Sequence, residues 1–332
     1  MQRRELLALA GLGALRVRLG TVPVGQSNQR EWEARSAPVN APHGLAFGPS
    51  GSLYITESYG GRLLRMNTES GRVRTILEGL DGLAQPLEIA VDSHETLWIT
   101  QGKTILHVEA ETGHIKERFG QGEGDAVGQA DGIAINKQGE VYFSEAQPSG
   151  DAQHGIFQLD PVRGRTTRVV GSEGTIRLAP ALRFPMGLAF SSSGLLYVAD
   201  YENFRILQCD LRLRRATTIV STKAGPISVV VDDDHTVYFI DGGEVKALDL
   251  RNQSVRLVAG GGPQEFSGDE GPATAAGLVT PRGLAVDSRG HLFISDWWDN
   301  RIRKVDAKTG IITTVAGNGN PKRPDIRTQP RH

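Results

Sequence analysis

Apolar residues in this chain come in short runs cut by turn residues, not at helical spacing. Pro42-His43-Gly44-Leu45-Ala46-Phe47 leads across a Gly-Ser turn to Leu53-Tyr54-Ile55-Thr56-Glu57, then to Arg62-Leu63-Leu64-Arg65-Met66 and, past Ser70-Gly71, to Arg72-Val73-Arg74-Thr75-Ile76-Leu77. Runs of that length, bounded by glycine and serine, read as four strands of one antiparallel meander. The opening returns as Pro86-Leu87-Glu88-Ile89-Ala90-Val91, Ala130-Asp131-Gly132-Ile133-Ala134-Ile135, Pro185-Met186-Gly187-Leu188-Ala189-Phe190, Pro226-Ile227-Ser228-Val229-Val230-Val231 and Pro281-Arg282-Gly283-Leu284-Ala285-Val286. A lone meander leaves both faces bare, so the six copies must pack side by side, and closure around a channel removes the exposed end faces. The chain is therefore predicted to be all-β, a six-bladed β-propeller of four-stranded antiparallel blades, with first strands near residues 44–48, 87–91, 131–135, 186–190, 227–231 and 282–287. First strands lie nearest the axis, where a small Gly-x-Ala pattern suits the crowding.

Composition changes this picture little. The 41 glycines fit a turn-rich β fold. With 37 basic against 38 acidic residues the formal net charge is -1, which offers no general field for nucleic acid or an anionic membrane surface. No run is long and apolar enough to insert in a membrane, and a monomer is expected. Cys209, the single cysteine, sits in a strand pattern and reads as a packing residue. Arg3-Arg4, followed by an apolar stretch from Leu6 to Leu15, resembles a twin-arginine export signal, which points to a periplasmic or extracellular location. Arg16 and Arg18 directly after that stretch, and the lack of a small-x-small cleavage site, leave a cytoplasmic protein as the alternative. The chain thus divides into an extension over 1–25, one propeller over 40–319 and a tail over 320–332.

The start of strand one, the hairpin between strands two and three and the link to the next blade all fall on one face of such a disc. The longest insertions, in the links Gly171–Phe184 and Gly260–Thr280 and in the hairpin Ala146–His154, decorate that face, where loops on a rigid scaffold carry function. Two positions per blade outline its channel mouth. The residue after the repeat proline is His43, Leu87, Asp131, Met186, Ile227 or Arg282, and fourteen residues later strand two ends in Glu57, Gln101, Glu145, Asp200, Asp241 or Asp296. The second ring is a polyanionic site or a repeated structural device. Glu57, Asp200 and Asp296 are followed five residues on by Arg62, Arg205 and Arg301, placed to pair across the hairpin. At the arginine's place opposite the acid, Glu145 faces Gly155 and Asp241 faces Glu244, so these two acids are expected to be unpaired and to join His43 and Asp131 in one pocket. His43, Asp131 and Asp241, a third of a turn apart, form a candidate metal set; His43 as general base with Glu57, together with Glu145 and Arg282, forms a candidate catalytic set.

The clearest copy, Gly268-Asp269-Glu270-Gly271-Pro272-Ala273 followed by PRGLAVDSRGHLFISDWWDNRIRKVDAKTGIITTVAGNG from Pro281 to Gly319, resembles the NHL-repeat family, and the resemblance extends over about residues 40–319. It implies a propeller but not one function, since related propellers include lyases, lactonases and binding scaffolds. His43 and Glu57 are similar to the blade motif of the virginiamycin B lyases, which implies a magnesium-assisted site. In the peptidyl-hydroxyglycine amidating lyases histidines of three blades hold zinc; Asp131 and Ile227 stand where two of them would be, so the one divalent cation expected here is Mg or Ca rather than Zn. No organic cofactor fingerprint is present; Gly120–Gly128 lacks the strand-loop-helix setting of a phosphate loop.

Tyr59, Tyr201, Trp297 and Trp298 follow the strand-two acids, as a ligand-stacking rim or as hairpin packing. Two functions follow from these residues. One is a propeller that binds a small molecule or peptide at the loop-bearing mouth, in the extended form a metal-assisted lyase or hydrolase. The other is a non-catalytic scaffold for a partner protein. No nucleophile elbow or cysteine-histidine pair compels catalysis.

Overall fold

The computed structural model describes residues 31–319 except 80–82, 84, 121–126, 148–153, 172–173, 178–180 and 233–234. Its strands form six antiparallel sheets, in each of which the four repeat strands lie in chain order, so every blade is one meander as the repeats required. First strands run over Pro42–Phe47, Ile89–Val91, Gln129–Ile135, Pro185–Phe190, Pro226–Asp232 and Pro281–Val286. Six apolar clusters hold the disc together, one at each junction between neighbouring blades. Between blades three and four, for example, Tyr142, Ile156 and Val170 meet Leu188, Val198, Leu207 and Cys209. Cys209 is fully buried there, and burial pushes its thiol up to about 12, as suits a packing residue. Each aliphatic side chain so buried is worth about 1.5–3 kcal/mol.

The first strands carry a bulge that explains their sequence. Pro42 pairs with Glu57, but the next pair is Leu45 with Ile55, and the same slip follows Pro185, Pro226 and Pro281. A bulge takes two residues out of the ladder. Gly44 N–H, freed in this way, donates instead to the Thr56 hydroxyl at 2.8 Å, and that hydroxyl donates on to the Leu87 carbonyl of blade two. Thr100 bridges to Asp131 O, Ser144 to Met186 O, and Ser295 closes the ring from blade six to His43 O. The glycine is needed because the next blade lies so close: a Cβ on Gly283 would stand 2.1 Å from the His43 carbonyl, and one on Gly132 2.1 Å from that of Met186. Ala199 and Ile240 hold the hydroxyl position in blades four and five, so these bridges stop there.

The propeller also begins earlier than its repeats. Glu31–Glu33 adds a fifth strand to blade one, paired with Arg72–Glu78. Ala34, Ala37 and Val39 then pack with Phe293, Ile302 and Ala316 of blade six, and Gly317 N–H donates to Ala34 O at 3.1 Å. Residues 31–39 therefore clasp the junction of the first and last blades, whereas the repeats alone set the boundary at 40. The export-like segment and the tail over 320–332 lie outside the described residues. Among the described residues no helix is long and apolar enough to cross a membrane.

Candidate functional site

The ring of acids that ends strand two is a structural device. In the five blades that carry a carboxylate there, it accepts the backbone N–H of the residue 17 positions upstream, in the link that leads into the same blade: Asn40 to Glu57, Gly128 to Glu145, Arg183 to Asp200, Ala224 to Asp241 and Val279 to Asp296, at 2.6 to 2.9 Å. Charge-assisted bonds of this kind pin the link to the end of strand two.

The side-chain partners differ from the sequence expectation in three places. Glu57 and Asp200 do pair with Arg62 and Arg205, at 2.5 and 2.7 Å. Asp296 does not pair with Arg301, because Asp299 in the hairpin takes that guanidinium at 2.6 Å. Asp241 is not unpaired: its hairpin is shorter, Glu244 falls opposite it in the ladder, and Lys246 two residues further reaches it at 2.6 Å. Burial alone would raise the Asp241 carboxyl, but Lys246 and the N–H groups of Ala224 and Lys223 outweigh burial and hold it below its ordinary value. Asp241 therefore leaves the candidate metal set. Glu145 likewise serves its own link, through Gly128 N–H, with Arg168 of strand four near its charge; burial still pushes it up. Glu57 is fully buried, and burial pushes it up to about 7 against the pull of Arg62 and Asn40 N–H. With both oxygens engaged in the frame, Glu57 is not the partner that orients His43.

That partner is Glu88, which sequence reasoning missed. His43 Nδ1 lies 3.5 Å from Glu88 Oε1, both side chains largely buried. Glu88 occupies the strand-one position held by Gly44, Gly132, Gly187, Ser228 and Gly283 in the other blades, so the break in that series was the available signal. Asp131 and Arg282 share this environment. Burial pushes the Asp131 carboxyl up to about 6; His43 and Arg282 pull it down and Glu88 pushes it further up. Asp131 accepts no side-chain hydrogen bond among the described residues, and its Oδ2, the Arg282 Nε and the His43 Nδ1 are each shut off from solvent without a hydrogen-bond partner. The structure thus gathers His43, Asp131 and Arg282 with Glu88, and leaves Glu57, Glu145 and Asp241 in the frame. Among the described residues no group of three or more His, Cys, Asp or Glu is placed to hold a metal ion.

Three of the four aromatic candidates make one shelf beside this cluster. Tyr59 and Trp297 stand 5.1 Å apart by ring centroids and Trp297 and Trp298 5.3 Å apart, across the junction of blades one and six. Trp297 Nε1 donates to Ser58 Oγ, and the Arg282 guanidinium lies 5.5 Å from its ring. Trp298 is 53% exposed. Tyr201, on blade four across the ring, packs instead against Phe184 and Gly225.

Fold and blade pattern together define the class, a six-bladed β-propeller of four-stranded antiparallel blades. The NHL repeat family matches residues 182–209, and the Teneurin NHL domain family matches residues 254–325. Teneurin-1 of Mus musculus is 30% identical over 157 residues, 41% of this chain and 6% of the teneurin. The chain spans between 4% and 22% of the length of curated relatives that it matches. Among solved structures, a gluconolactonase from Xanthomonas campestris superposes with a TM-score of 0.62 at 18% identity, covering 87% of this chain and 91% of the other. A streptogramin B lyase superposes with a TM-score of 0.57 at 15% identity, covering 86% of both chains.

Proposed function

We propose that this propeller binds a small molecule at the loop-bearing mouth of its channel, in the cluster of His43, Glu88, Asp131 and Arg282. The carrying observation is the convergence of shielded polar atoms that have no hydrogen-bond partner among the described residues, Asp131 Oδ2 and Arg282 Nε, beside His43 Nδ1, whose only charged contact there is Glu88 at 3.5 Å. Buried polar atoms are costly unless bonded, and a site that keeps several open is arranged for something that completes them. A thermal-shift screen of small metabolites, run on the wild type and on the double variant D131N/R282Q, tests this. Compounds that stabilise the wild type and not the double variant support the proposal; a screen in which no compound distinguishes the two overturns it.

The contact of His43 with Glu88 favours an enzyme as the second reading. In it His43 takes a proton as general base, Glu88 orients the imidazole, and Arg282 stabilises an anion that develops on the substrate. The lyase and lactonase propellers that share the fold support it by analogy alone. A Mg or Ca ion held by the carboxylate oxygens of Asp131 and Glu88, completed by the substrate, belongs to this reading. Elemental analysis of the purified protein with and without chelator separates the two: a stoichiometric ion supports catalysis, its absence a binding module.

A further inference from the structure

The mouth holds unmatched charge of both signs. The Arg282 Nε, shut off from solvent, has no hydrogen-bond partner among the described residues, and the guanidinium lies 5.5 Å from the centre of the Trp297 ring. The Asp131 carboxylate, on the blade opposite in the ring, accepts no side-chain hydrogen bond among the described residues, yet the two groups feel each other's charge. Among the described residues the one ion-pair contact of Glu88 is with His43, and its charge also bears on Asp131. A ligand of one sign would complete Arg282 or the two carboxylates and leave the other desolvated and bare, which is the costly outcome. Only a ligand that carries both signs completes the whole cluster.

The rest of the ring adds a shape to that charge pattern. Arg282, His43, Glu88 and Asp131 belong to blades six, one, two and three, a continuous arc, while blades four and five contribute Met186 and Ile227 at the same level. Directly beneath lies a cavity of about 250 Å³ whose lining includes Glu88, Ile133, Leu188, Val229 and Leu284. Since a water molecule occupies roughly 30 Å³, this cavity admits several waters or one small aliphatic or aromatic side chain.

We propose that the mouth takes a zwitterion with an apolar side chain, the chemistry of a free α-amino acid such as leucine or phenylalanine. Its carboxylate accepts from Arg282, its ammonium donates to Asp131 and Glu88, and its side chain lies against Met186 and Ile227 toward the cavity. The assignment rests on the reading of the mouth as a ligand site and names the ligand class for it. Arg282 is the carboxylate reader and Asp131 the ammonium reader; neither role appears if the cluster is a solvated polar rim.

Isothermal titration of the whole chain with L-leucine, 4-methylpentanoate and isoamylamine tests the assignment on unmodified protein, because the last two lack the ammonium and the carboxylate respectively. Leucine is expected to saturate, and each single-charge analogue to bind about tenfold to a hundredfold more weakly, the range set by one charge-assisted hydrogen bond. R282Q should bring leucine down to the affinity of isoamylamine, and D131N should bring it down to that of 4-methylpentanoate. Analogues that bind as tightly as leucine overturn the proposal, as does the absence of any heat from leucine and phenylalanine at millimolar concentration. Should metabolites from the thermal-shift screen still depend on Asp131 and Arg282 in that case, the zwitterion falls and the ligand site stands; should none do so, both fall.

Discussion

Asp131→Asn should make the protein more stable at pH 8 and leave it unchanged near pH 4. The Asp131 carboxyl is raised from 3.8 to about 6, chiefly by burial, with His43 and Arg282 opposing and Glu88 adding to the rise. Between those two values the folded chain keeps a proton that the unfolded chain releases, so the wild type loses stability as pH climbs through about 6 and keeps it in full below 3.8. Each pKa unit corresponds to about 1.4 kcal/mol, which sets an upper bound of about 3 kcal/mol. The side chain is only half-buried, and solvent screening reduces the expected difference to about 1–2 kcal/mol. Asparagine mimics the protonated acid at every pH, so the variant should gain that amount over the wild type at pH 8 and nothing at pH 4. Urea denaturation of both proteins at pH 4, 6 and 8 measures it, since the difference between the curves removes all other titrating groups. A constant offset across the series, or a variant weaker than the wild type at pH 8, would mean that Asp131 is a paired frame residue, and the mouth would lose its principal open acceptor.

Other perturbations separate frame from mouth. Asp200→Ala removes the acceptor of Arg183 N–H and the partner of the buried Arg205, and should cost about 3–5 kcal/mol in unfolding free energy while leaving ligand-induced thermal shifts intact in the protein that folds. Arg303→Met removes a fully buried guanidinium that holds Asp269 and the carbonyls of Ser267 and Gly277; a loss of about 3–5 kcal/mol and protease cleavage within 260–280 are expected, and an unchanged digestion pattern would contradict it. Ala199→Ser supplies a hydroxyl at the register held by Ser144 and Ser295, so a gain of about 0.5–1.5 kcal/mol in chemical denaturation is expected; a loss would show that the junction of blades four and five has no room for it.

The strands were legible because their period, their turn residues and their repetition all point the same way. The roles of the acids were legible only in part. A carboxylate that holds a backbone N–H in the preceding link leaves no mark in the sequence, since every residue but proline offers that donor. The rule that an arginine follows at five residues held for Glu57 and Asp200, where the hairpins have the common length. At Asp241 the cation at five residues is Lys246 rather than arginine, set by the shorter hairpin two places past the ladder partner Glu244, and at Asp296 the rule failed because Asp299 captured Arg301 first. Glu88 was hidden by the repeat itself, which assigns its position to glycine. The clasp over 31–39 recurs nowhere in the chain, so repetition could not reveal it.

The carboxylate pins have a consequence for how such a surface changes over time. In every blade where the pin is described, the mouth residue stands three places beyond the pinned N–H: His43 after Asn40, Asp131 after Gly128, Met186 after Arg183, Ile227 after Ala224, Arg282 after Val279. Because the backbone and not the side chain is held, histidine, aspartate, methionine, isoleucine and arginine all fit the same socket. The disc therefore behaves as a lettered dial whose characters can be exchanged one at a time while the frame keeps its shape. Selection, or a designer grafting a new specificity, can rewrite the mouth by point substitution without insertions and without retuning the blades.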